Sequence, residues 1–190
     1  KEVNKIKEFK NIWKEMEWIT LKDLNDDEDV VEDGMSYEEN AAIKARHFAK
    51  KYQMPAISDD SGLEVDALLG APGIYSARYS GQGDQANNLK LLDMLKNVSD
   101  RKARFISVIV LANPKGTYLA FRGEIEGVIS QIPKGDLGFG YDPLFYIPTY
   151  QQTFGEAGPA LKNKISHRAQ ALEQFKKEKD NVYLFLKDAL

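Results

Sequence analysis

The stretch from Ser36 to Tyr52, SYEENAAIKARHFAKKY, restricts the possible folds more than any other part of the chain. It is dense in strong helix formers, and Ser36 with Glu39 three positions on is a capping-box pattern, which predicts a helix over about Tyr37 to Tyr52. Strand signals follow at once. Pro55-Ala56-Ile57 reads as the end of a buried strand and Leu63 to Leu68 as an alternating one, with Ser58-Asp59-Asp60-Ser61-Gly62 between them. Arg104 to Leu111, Tyr118 to Arg122 and Ile125 to Ile129 add β-branched and aromatic runs, and Asn113-Pro114-Lys115-Gly116 supplies a hairpin turn. Helical spacing marks Lys5 to Glu17 and Asp84 to Asn97, and two further helices are expected from about Ser166 and about Asn181; Trp18 to Leu21 reads as a short strand. Helices and strands in this order predict an α/β fold, a mixed central β-sheet flanked by helices.

With 190 residues, 43% of them hydrophobic, and no internal repeat, the chain suffices for one domain spanning residues 1–190, built as two lobes. A net charge of −3 argues against a duplex-DNA partner, which would need a concentrated basic surface. Cysteine is absent, so disulfides, thiolate catalysis and cysteine-held zinc are excluded; with only two histidines, any metal is expected to be a hard ion held by carboxylates, Mg2+ or Mn2+. No apolar run is long enough to span a bilayer and no signal-peptide pattern opens the chain, so a soluble cytoplasmic protein without a membrane partner is expected. The acidic run Asn25 to Gly34 reads as a solvated, mobile connection.

Several residues stand out chemically. Two adjacent carboxylates, Asp59 and Asp60, sit between apolar segments, costly in a core and useful in a cleft. An Asp-Ser-Gly turn accounts for one acid; the second calls for a ligand. Glu39 has two readings, helix cap or metal ligand beside Asp60. Gly81-Gln82-Gly83-Asp84-Gln85-Ala86 matches a dinucleotide fingerprint, but in mid-chain after an aromatic turn it reads better as a helix entry. Gly138 to Phe145, GFGYDPLF, reads either as an aromatic-anchored turn or as a loop laying Phe139 or Tyr141 against a planar ligand. Lys162, Ser166, His167 and Arg168 cluster at a helix N-terminus suited to an anion or a base.

In this order, SYEENAAIKAR, SDDSGLEVDALLGAPGIYSARYSG, GFGYDPLF and KISHRAQAL resemble the inosine triphosphate pyrophosphatase family, with weaker support from ARFISVIVL and FRGEIEGVI. The resemblance runs from about Ser36 to Leu172. It implies hydrolysis of ITP, dITP and XTP to the monophosphate and pyrophosphate, in a cleft between two lobes, by a homodimer. Residue by residue it implies Asp60 as proton acceptor and metal ligand and Glu39 as the second metal ligand; Asp59 stands beside them as a candidate additional acid on the local reading alone. The resemblance sets Lys44 and Ser61 by the phosphates, and Phe139, Gly140, Tyr141 and Asp142 at the base. Lys162, His167 and Arg168 would close over the nucleotide and read its keto edge. At the start the match weakens: Lys5 and Glu8 fit the end of the family's phosphate loop, Glu2 stands where asparagine is expected, and the preceding strand and threonine are missing. Lys5 is therefore the expected phosphate ligand of an incomplete loop.

The chemistry agrees with this. Attack of water at the α-phosphorus needs cations on the phosphate oxygens and a base for the proton. A donor such as Arg168 favours the 6-keto group of hypoxanthine and xanthine over the amino group of adenine.

Overall fold

The computed structural model describes residues 6, 7, 9, 10 and 13–189. Lys5, Glu2 and Glu8, and with them the expected phosphate loop, lie outside the described residues.

Helix α1 runs Tyr37–Tyr52, as the capping box predicts: Ser36 Oγ accepts from Glu39 N and the helix ends at left-handed Gln53. The strands are β1 (Ala56–Val65), β2 (Lys102–Ala112), β3 (Tyr118–Ile129), β4 (Phe145–Ile147) and β5 (Gln152–Thr153). Among the described residues they form one five-stranded sheet in sequential order, and every pairing there is antiparallel. Helices α2 (Asp84–Met94), α3 (Phe154–Ile165), α4 (His167–Lys177) and α5 (Lys179–Asp188) follow α1, and residues 6, 7, 9 and 10 are also helical. The fold is thus α/β, a sheet flanked by helices.

Three cores position everything else. Ala41, Ala42, Ala45 and Ala49 line the inner face of α1, small enough to bring the helix close onto Ile106, Val108 and Val110 of β2. On the opposite face α4 packs Ala171, Leu172 and Phe175 against Ile109, Leu111 and Phe121. The third core joins Leu63, Phe105, Leu144, Phe145 and Phe154, where the Phe145 and Phe154 rings stack at 5.5 Å. Each such large side chain, fully buried, contributes about 1.5–3 kcal/mol.

Several expectations need correction. The SDDSG segment is not a loop between two strands: β1 runs unbroken through it, and Asp59 and Asp60 pair with Ile109 and Val108 of β2. Gly62 explains the motif's glycine, since a Cβ there would lie 2.3 Å from the Gly73 carbonyl oxygen and 2.8 Å from the Tyr37 ring. Residues 18–21 form no strand, because Thr20 and Asp23 close a turn through reciprocal bonds of 2.9 and 3.0 Å. The strand halves expected at Tyr118 and Ile125 are one continuous β3. Helix α3 was unforeseen: Gly155, Gly158 and Pro159 mask it in sequence, yet Thr153 and Glu156 form a full capping box and the kink falls at Gly158.

The acidic run is not a free connection. Asp26 accepts from Tyr52 and from Lys51 Nζ at 2.7 Å, Glu28 lies 2.8 Å from Lys51 and 3.0 Å from His47, and the Gly34 amide donates to Asn40 at 2.9 Å. Residues 26–34 therefore form a strap pinned along α1.

Candidate active site

A strand sends consecutive side chains to opposite faces, and this decides the fate of the acid pair. Asp60 points to the α1 side. Burial first, and the nearby charge of Glu32 second, push its carboxyl up from the ordinary value to about 6, against the pull of Lys44, the Asn40 side chain and the Ser61 amide. Its Oδ2 is buried and has no hydrogen-bond partner among the described residues. Asn40 and Lys44 reach this place from successive turns of one helix face. Lys44 Nζ donates to the Asp59 carbonyl oxygen at 2.8 Å and pairs with Glu32 at 2.9 Å.

Asp59 points to the α4 side, where its Oδ2 accepts from Arg168 Nε at 3.1 Å and Nη2 at 3.0 Å. Both side chains are about nine-tenths buried, with exposures of 10% and 9%. His167 lies beside them, its ring stacked on Phe105 at 4.8 Å. The half-buried Ser61 shares this face, opposite the fully buried Ser107 of β2, so its side chain and that of Asp60 lie on different faces of the sheet.

Glu39 Oε2 accepts from the Met35 amide at 2.6 Å, one residue before the N-cap Ser36, so it braces the helix start without closing the capping box on Ser36. Being exposed at the start of α1, its carboxylate remains within reach of solvent.

A second cluster forms around the glycine-rich loop. Asp142, almost fully buried, accepts from the Phe139 amide at 3.0 Å and from Lys162 Nζ at 2.5 Å. That lysine stands 4.1 Å from the Phe139 ring centroid, and Phe139 is 40% exposed. Phe139 thus presents an aromatic face whose back is held by a cation. Gly138 has φ +74°, and a Cβ on it would lie 2.1 Å from Asp142 Oδ2, so glycine is what lets the carboxylate fold back under the loop. Tyr141 departs from the stacking expectation: its ring is buried and its hydroxyl donates to the Ser76 carbonyl at 2.6 Å, anchoring the loop to the segment after β1. Gly140 is fixed through its amide to Asp84 and its carbonyl to Asn88, each at 3.0 Å.

The arrangement accounts for the other candidate motif. Gly81 to Asp84 follows the 3-10 turn Gly73–Arg78 rather than a strand, and Asp84 is spent on Gly140, so this entry to α2 lacks the strand–turn–helix context a dinucleotide site requires.

Two residues that sequence reasoning passed over belong to the site. Asn40 carried a legible signal, its i, i+4 spacing from Lys44 on a predicted helix. Glu32 carried none, being one acid in an acidic run.

No cluster of three or more His, Asp or Glu side chains forms a ready-made metal cage among the described residues. Two oxygen donors are present nonetheless, the unpartnered Asp60 Oδ2 and the exposed Glu39. That fits a hard ion that takes one or two protein carboxylates and completes its shell with water and substrate phosphates.

Known proteins resemble this chain over most of its length. The "dITP/XTP pyrophosphatase" of Acholeplasma laidlawii is 44% identical over 94% of this chain and 90% of its own length. That of Clostridium perfringens is 47% identical over 97% and 95%. The Staphylococcus aureus Ham1 protein superposes with a TM-score of 0.88 at 42% identity, covering 94% of both chains, and a HAM1 protein from Coxiella burnetii with 0.87 at 41%, again covering 94% of each. A model of the Ham1 family matches residues 1–178, and the chain belongs to that family.

Proposed function

We propose that the protein is a nucleoside triphosphate pyrophosphatase that cleaves the non-canonical purine nucleotides dITP, ITP and XTP to the monophosphate and pyrophosphate. The observation that carries the reading is a buried, unpartnered carboxylate oxygen on Asp60, with Asn40 and Lys44 beside it, in a chain closely similar to proteins named dITP/XTP pyrophosphatase.

Asp60 accepts a proton from the attacking water, and its raised pKa suits that task near neutral pH. Asn40 and the Ser61 amide fix its orientation. Lys44, anchored on the β1 backbone, turns its remaining donor capacity to the triphosphate, and Lys5 contributes a second phosphate contact. Glu39 and Asp60 are the residues that would hold Mg2+ or Mn2+. A bound divalent cation supplies charge neutralisation for the departing pyrophosphate.

At the other end Phe139 offers its exposed ring to the purine, and Lys162, His167 and Arg168 supply donors for a keto-bearing edge. Gly140 and Asp142 shape the loop that presents Phe139. Adenine, with an amino group where these bases carry oxygen, would set donor against donor. The working form is proposed to be a cytoplasmic homodimer of single-domain chains.

A pyrophosphate-release assay with Mg2+ across dITP, ITP, XTP, GTP, ATP, dUTP and dTTP tests the reading. Turnover concentrated on the first three supports it; preference for a pyrimidine, or none at all, overturns it.

A further inference from the structure

Lys44 and Asp60 are close enough for the lysine's charge to be felt at the carboxyl, yet they do not pair: among the described residues Asp60 Oδ2 has no partner, while Lys44 Nζ is shared between the Asp59 carbonyl at 2.8 Å and Glu32 at 2.9 Å. Left to itself, a half-buried ammonium pairs with a neighbouring carboxylate, because burial strengthens the attraction and penalises both unpaired charges. Here Glu32, not Asp60, claims it. Glu32 is well placed, since the strap is tied to α1 on both sides of it, by Asp26 and Glu28 to Lys51 and by the Gly34 amide to Asn40. Lys44 and Glu32 are only 25% and 26% exposed, so water does not dissolve the pair.

We propose that Glu32 is a positioning residue of the reaction: as the counter-ion of Lys44 it keeps that ammonium from neutralising Asp60, so that Asp60 Oδ2 stays open while Lys44 stays on its β1 anchor for the phosphates. This rests on the roles given to Asp60 and Lys44 in pyrophosphate release.

Glu32→Gln tests it. Glutamine keeps the size and can still accept a hydrogen bond, but loses the charge that competes with Asp60. A crystal structure of the metal-free variant should show Lys44 Nζ moved to within hydrogen-bond distance of Asp60 Oδ2. For dITP, kcat should fall about tenfold and the Mg2+ concentration for half-activation should rise about tenfold, while KM moves less than about threefold. Glu32→Asp, which keeps the charge, should recover most of that loss. In a Lys44→Met background Glu32→Gln should change the residual kcat by less than about twofold, because a residue acting through Lys44 has nothing left to act on. A lysine still on the Asp59 carbonyl with Asp60 Oδ2 unpartnered would overturn the proposal. So would the same fractional loss in both backgrounds, or a lower Tm with unchanged kinetics. Failure of the wild type to cleave dITP refutes the pyrophosphatase reading instead, and the position of Lys44 in the variant still decides the role of Glu32.

Discussion

Asp59 and Asp60 are chemically identical neighbours given opposite tasks by strand alternation: one is consumed by a buried ion pair, the other left with an unsatisfied oxygen. Such an oxygen costs folding free energy that a packed core would not spend, and active sites are where that cost is retained. The sign follows from the pKa values. Unfolded Asp60 titrates near 3.8 and folded Asp60 near 6, so the folded state holds its proton over a range where the unfolded state has released it. Stability therefore falls as pH rises through that window, and the full cost stands above it. We expect Asp60→Asn to abolish turnover and to raise the metal-free Tm at pH 7.5, the gain vanishing below about pH 4 where both states are protonated. Tm measured with chelator at both pH values checks this; a lower Tm at pH 7.5 would mean that the carboxylate is a structural asset. Asp60 stands out in the sequence as a candidate. Its geometry was not legible there, because the Asp-Ser-Gly turn signal lost to pairing with β2, where tertiary context overrode local propensity.

At the scale of elements, glycines fix how closely the layers approach. Gly123 sits mid-way along β3 beneath α4, and a Cβ there would lie 2.2 Å from both the His167 carbonyl oxygen and the Ala171 amide. These are backbone atoms with no rotamer to move aside, so the helix itself must lift. Gly123→Ala should cost about 1–3 kcal/mol in urea unfolding and shift the N-terminal turn of α4, which carries His167 and Arg168. It should therefore also narrow the preference for ITP over ATP, although Gly123 has no side chain to touch a nucleotide. Unchanged selectivity alongside the stability loss would show that α4 moves without carrying its first turn. Helix α1 was readable to the residue because cap, propensity and apolar face agree; α3 was hidden because its glycines and proline outweigh the Thr153–Glu156 capping signal, and the packing of Phe154 and Ile165 into the core sustains it with that cap. Arg101, whose three nitrogens donate to the carbonyls of Leu95, Ile129 and Ser130, is likewise invisible in sequence, since its partners lie on segments that meet only after folding.

Over the whole molecule, the acid-bearing face between α1 and β1 is joined to the side carrying Phe139 and Lys162 by two links: Tyr141 to the segment following β1, and Arg168 of α4 to Asp59 of β1. The second link makes Arg168 a cross-tie in addition to the base reader proposed above, and a single substitution confounds the two. Removing one partner of a buried ion pair leaves the other charge uncompensated, so Arg168→Ala should destabilise the protein by about 3–5 kcal/mol whatever its role toward substrate. Adding Asp59→Asn removes the stranded charge and should restore part of that stability, while leaving the keto edge of the base without its donor. If Arg168 reads the base, the double variant regains Tm but keeps an ITP-to-ATP ratio in kcat/KM reduced about tenfold or more, the worth of one charge-assisted hydrogen bond. If the cross-tie is its whole contribution, the ratio recovers together with the Tm. Unfolding curves and the two catalytic efficiencies, measured on the wild type and both variants, separate these outcomes, and recovery of both quantities would withdraw Arg168 from base recognition.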